Sequence, residues 1–100
     1  MDKVQSGYFT LNDEQRQFKV LLDRYPRFVP YWNFDDRSVD IDAIERDIGV
    51  MSHGEQLMLR FFIAVWVGET RDFDFIDAVK TLDHEELQVI VNWLKDPVFP

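Results

Sequence analysis

Two histidines, a serine beside one of them and an excess of carboxylates are the groups in this chain that could do chemistry. His53 and His84 would need partners at ligand spacing to hold zinc. Neither has a second histidine four residues on, and the chain has no cysteine. Ser52 and His53 are neighbours, and consecutive side chains at a helix start diverge, which is the wrong arrangement for a nucleophile and its base. Two aspartate clusters come near the spacing of a calcium loop. Asp72, Asp74 and Asp83 fill its first, third and twelfth positions, but Ile76 and Asp77 stand where an oxygen ligand and a glycine are needed. Asp36, Ser38, Asp40 and Asp47 come closer, yet Ile41 occupies the glycine position and Asp47 is shorter than the bidentate glutamate such loops use. The adjacent pairs Asp35-Asp36 and Glu85-Glu86 cannot converge as a general acid and base would, whereas Asp74 and Asp77 can meet one helical turn apart. The four glycines stand singly, so no phosphate-cradling loop is present. These patterns predict no catalytic residue, no metal site and no cofactor. Capping explains the acids better: thirteen of the nineteen are aspartates, which favour helix starts.

The elements that would position these groups have their ends written into the chain. The run from Ser52 to Gly68 reads as one helix, with Ser52 and Glu55 forming a reciprocal cap and Gly68 the stop. Leu57 to Val67 is apolar at every position except Arg60, so this helix must be covered on all sides. It is shorter than the ~20 apolar residues a membrane span needs. Arg60 is expected to pair with an acid on a neighbouring helix, or to lie on a narrow exposed stripe with Gln56. Upstream, Tyr8-Phe9-Thr10-Leu11 is a short apolar lead-in. Thr10 or Asn12 then caps a helix from about Asp13 to Tyr25, with Phe18, Leu21, Leu22 and Tyr25 on its inner face and Pro26 as its end. The segment Pro26 to Phe34 holds two prolines among large apolar side chains and is predicted to be extended and packed. A turn over Asp35 to Val39 leads to Asp40, cap of a short helix bearing Ile41, Ile44 and Ile48 and closed by Gly49. Asp74 caps a helix with Phe75, Ala78, Val79 and Leu82 inward, and Phe73 packs on Ala78 as a staple. Asp83 and Glu86 cap the last helix, Leu82 and Leu87 staple it, and Leu87, Ile90, Val91 and Leu94 face inward with Trp93 beside them. Asp96-Pro97 stops it. Val39-Asp40-Ile41 alternates but is too brief for a sheet. The predicted fold is all-α, a compact irregular bundle of about five helices around a central hydrophobic helix. It forms one domain over residues 1–100, with 1–7 a flexible N-terminus.

Composition narrows the partners. A chain of 100 residues can bury roughly 60 to 70% of its unfolded surface, enough for a core without staples. A formal charge of -8 opposes direct contact with nucleic acid or anionic membrane, so a charged partner should be basic. With no cysteine and no apolar leader in Met1 to Gly7, a cytoplasmic location is expected.

Two further features carry the functional expectation. Tyr31, Trp32 and Phe34 either close the core as a lid or, with Phe99 of the tail, form an exposed anchor cluster for a partner. The pattern Ser52-x-Gly54-Glu55 opening an apolar helix that ends Trp66-x-Gly68 runs into Leu82-Asp83 and then Trp93-Leu94-x-x-Pro97-x-x-Pro100. It resembles small bacterial and prophage-type helical proteins over the second half of the chain. That resemblance implies a helical fold and a bacterial or phage source, and it carries over no catalytic residue.

Two functions follow as expectations. One is a small acidic intracellular module, not an enzyme, that binds another protein through Tyr31, Trp32, Phe34 and Phe99. The other is an acidic mimic of nucleic acid, with Asp35, Asp36, Asp40, Asp42, Asp72, Asp74 and Asp77 set in a phosphate-binding groove of its target. Whether the chain acts as a monomer or a homodimer is left open by either.

Overall fold

Asn12 opens the first helix by accepting the Gln15 amide at 2.8 Å, while Gln15 Oε1 accepts the Asn12 amide at 3.0 Å, so two donors otherwise free are satisfied at once. The structure is a computed structural model that describes residues 11–100. Thr10, the lead-in before Leu11 and the stretch 1–7 lie outside the described residues. Helix α1 runs over Asp13–Leu22 and buries Phe18 and Leu22 completely. It ends three residues before the expected Tyr25. The residue before a proline is disfavoured in helical conformation, and the Arg24 and Tyr25 amides instead take the tighter bonds to Leu21 and Leu22.

The proline segment departs from expectation. It is not extended throughout but makes turns and a short 3-10 helix, Val29–Tyr31, and then β1, Trp32–Asn33. β1 pairs antiparallel with β2, Ser38–Val39, placing Trp32 opposite Val39 and Asn33 opposite Ser38. The hairpin expected to be absent forms because its turn closes on itself. Asn33 Oδ1 accepts the amides of Asp35 and Asp36, and Arg37 adopts a left-handed backbone at φ 58°.

Asp40 caps α2, Ile41–Asp47, by accepting the Ala43 amide at 3.0 Å. The sequence places the close of this helix at Gly49. Instead, the chain tightens into a 3-10 turn over Ile48–Val50, and Gly68 is the one described glycine with positive φ.

Helix α3, His53–Val67, begins and ends as its sequence dictates. Ser52 Oγ accepts the Glu55 amide, the Glu55 carboxylate accepts the Ser52 amide, and Gly68 turns left-handed at φ 82°. Seven of its residues are buried. Phe62 is fully buried and meets Phe18, Tyr25, Phe28 and Phe61 at ring separations of 5.4 to 6.3 Å, mostly edge to face.

Asp74 caps α4, Phe75–Thr81, and Asp83 with Glu86 form the reciprocal cap of α5, His84–Lys95. The inner faces of both differ from expectation. In α4, Ala78 is buried, as is Leu82 just beyond its end, whereas Phe75 and Val79 are half exposed. In α5 Val89 and Ile90 are buried and Leu87 and Trp93 pack half buried against the core, so Leu87 and Ile90 face inward as expected, whereas Val91 and Leu94 lie outside.

The tail returns along α1: Trp93 Nε1 donates to the Val98 carbonyl at 2.9 Å and the Phe99 amide to Glu14 Oε1 at 2.6 Å. Gln15 and Arg37 both donate to the Pro100 carbonyl. The described chain is mostly helical, five α-helices and one two-stranded sheet, and none of its helices is long and apolar enough to cross a membrane.

Candidate functional site

The expected aromatic anchor cluster is not an exposed surface. Trp32 is buried beneath Phe18 and Trp66, with ring separations of 5.7 and 6.4 Å. Phe34 is half buried against the same two rings. The Tyr31 ring is half buried, and its hydroxyl donates to Asp47 Oδ2 at 2.6 Å. Segment 28–34 is therefore a lid on the core, because Pro30 and the hairpin turn it back over α1 and α3. Trp32 Nε1 is buried without a hydrogen-bond partner among the described residues. Phe99 alone of the four stands out, 59% exposed, beside Trp93 at 5.7 Å.

The seven aspartates of the mimic reading lie on two stretches, Asp35 to Asp42 and Asp72 to Asp77, and most already have partners within the chain. Asp36 accepts the Ser38 hydroxyl, Asp40 and Asp74 cap helices, and Asp72 faces Arg60. Asp77 Oδ2 lies 2.8 Å from His53 Nε2, and its other oxygen accepts the Thr81 hydroxyl. This His53–Asp77 pair ties α3 to α4 across 24 residues of sequence, a juxtaposition no local pattern announces. The Ser52 hydroxyl, next to His53 in sequence, is committed as the helix cap. No group of three or more histidine and carboxylate side chains is placed to hold a metal among the described residues. Arg60 pairs with an acid, as expected, although Asp72 belongs to the loop after α3 and not to a helix.

What sequence reasoning missed is an apolar groove of about 350 Å³ between the C-terminal half of α3, the start of α4, the end of α5 and the tail. Phe61, Ala64 and Val65 of α3 form its floor with Ile90, and the walls carry Phe73, Phe75, Leu94 and Phe99. Phe75, Leu94 and Phe99 are each more than half exposed, at 51%, 52% and 59%, so the groove has an apolar rim as well as an apolar floor. Val79 lies one turn along α4 from Phe75, and Val91 one turn before Leu94. Both are exposed as well. Glu69 lines the groove, and Glu14 holds the Phe99 backbone beside it.

A sequence signal for this surface did exist. Apolar residues in α5 occupy positions 87, 89, 90, 91, 93 and 94, an arc too wide for one buried stripe, so one edge of it had to remain outside. Comparison of the chain with protein-family models, with characterised proteins and with solved structures finds no match.

Proposed function

We propose that the chain is a small non-catalytic interaction module that docks another protein in the groove framed by Phe75, Leu94 and Phe99. One observation carries this reading: three large apolar side chains, each about half exposed, converge on a single apolar concavity. Leaving them in water is unfavourable by roughly 25 cal/mol for each Å² of apolar surface, which a partner's side chains would recover. Anchors of this type dominate the binding energy of protein interfaces. The net charge of -8 favours a partner with basic residues around its apolar contact. In this reading the helices form an irregular bundle around α3, supported by the seven buried residues of that helix.

The test compares the intact protein with the double variant Phe75→Ser, Leu94→Ser in capture from lysate. A partner that resists high salt on the intact protein and is lost on the double variant, at unchanged melting temperature, is the expected result. Retention by the double variant, with elution by moderate salt and loss on Asp35→Asn, Asp36→Asn, Asp42→Asn, would move the interaction to the acidic surface and favour the nucleic-acid mimic.

A further inference from the structure

A second cavity, of about 210 Å³, lies between α2 and α3 and shares no lining residue with the docking groove. Its apolar part consists of four isoleucines: Ile41, Ile44 and Ile48 from α2 and the turn after it, and Ile63 from α3. The rest of the lining carries two cations, Arg60 and Arg71, and two anions, Glu45 and Asp72. Branched aliphatic walls beside a balanced set of opposite charges form an unusual combination, and it limits what could fit.

Arg60 is the single charge in the apolar run of α3, and only about a third of its side chain is exposed, at 34%. Its partner Asp72 sits at 3.7 Å, beyond hydrogen-bond reach, with a carboxylate that is 84% exposed. Arg60 and Asp72 thus form an ion pair without a hydrogen bond between them. Among the described residues, none of these four charged side chains has a hydrogen bond to another group. Asp72 also holds a left-handed backbone at φ 60°, a conformation that costs a non-glycine residue some stability and turns this part of the loop back toward α3.

We propose that this cavity binds a free α-amino acid with a branched aliphatic side chain. The guanidinium groups of Arg60 and Arg71 would take the carboxylate, for which their planar donor pattern is suited. Glu45 and Asp72 would accept the ammonium, and the side chain would lie among the isoleucines. The volume is below the ~300 to 1,000 Å³ of pockets for drug-sized ligands, which suits a molecule of this size. A simple aliphatic acid would leave the two carboxylates facing its own charge, and a simple amine would leave the two arginines unanswered.

The test is a titration of the isotope-labelled full chain, followed by amide NMR. L-leucine is compared with glycine, with 4-methylpentanoate, which lacks the ammonium, and with 3-methylbutylamine, which lacks the carboxylate. Leucine should shift the resonances of Ile41, Glu45, Arg71 and Asp72, and each of the three analogues should bind at least ~10-fold more weakly. Arg71→Gln alters an exposed side chain and should weaken leucine by a similar factor at unchanged melting temperature, with Arg60→Met as the second variant. No shift with leucine, equal binding of 4-methylpentanoate, or leucine binding untouched by Arg71→Gln would each overturn the proposal.

Discussion

The Tyr31 hydroxyl donates to Asp47 at 2.6 Å, joining the lid segment to the end of α2. The bond affects both groups. Accepting it holds the Asp47 carboxyl below its ordinary value of 3.8, while burial, followed by the bond itself, raises the Tyr31 phenol above 10.0. Asp47 therefore contributes stability that is in place above 3.8 and lost as pH falls through its lower folded value. Tyr31 contributes stability that is in place below 10.0 and lost as pH rises through its higher folded value. Tyr31→Phe should lower the melting temperature at neutral pH, with the deficit vanishing in strong acid and in strong alkali. Melting curves across pH check this, and a deficit of constant size would exclude the bond as its source.

Glu55 adds to the acid limb. The Ser52 amide and then Arg27, at 3.0 and 3.2 Å from its two oxygens, hold its carboxyl below 4.5. Its contribution is likewise lost as pH falls through the lowered value. Glu55→Gln should flatten the acid side of the stability profile in urea titrations.

Tyr25 stacks on Phe28 and meets Phe62 edge-on, and burial, helped by the nearby Glu86 carboxylate, pushes its hydroxyl up to about 12. The unfolded chain ionises this group near 10.0, so stability is complete below that pH and is lost as pH rises toward 12. Ultraviolet titration should show a tyrosine phase at about 12, and Tyr25→Phe should remove that phase.

Phe62→Ala removes the ring shared by four other aromatics and should cost about 3 to 5 kcal/mol, a large part of the stability of a domain this small. Trp66→Ala should cost less, since Trp66 is only half buried. Urea denaturation measures both, and a loss below about 1 kcal/mol at Phe62 would mean that the core is held elsewhere.

Two glycines with equally open surroundings should respond in opposite directions. A Cβ at Gly49 or at Gly68 would meet nothing within 4 Å, but only Gly68 is left-handed, at φ 82°. Gly68→Ala should therefore destabilise by about 1 to 2 kcal/mol, whereas Gly49→Ala should stabilise by about 0.4 to 1 kcal/mol through the unfolded chain. Thermal melting of the two variants separates backbone strain from packing directly.

The chain by itself determined where α2 to α5 begin, because a cap is a contract between residues three apart. Asp40, Ser52, Asp74 and Asp83 each accept the amide three positions on, and Glu55 and Glu86 reciprocate. Gly68 as a stop belongs to the same local class. Tertiary structure alone decided which apolar side chains were covered. Six apolar positions in α5 allow two inward stripes, and packing against α3 and the tail selected Leu87, Val89, Ile90 and Trp93, leaving Val91 and Leu94 in water. The lid was decided in the same way: Trp32 and Phe34 are as apolar as any anchor residue, and only the hairpin that folds them onto Phe18 and Trp66 removes them from the surface. Both candidate sites arise from that choice, since a groove or cavity is the space between elements distant in sequence. Periodicity reports that a helix has a greasy side, whereas contact with another element determines how much of that side is hidden.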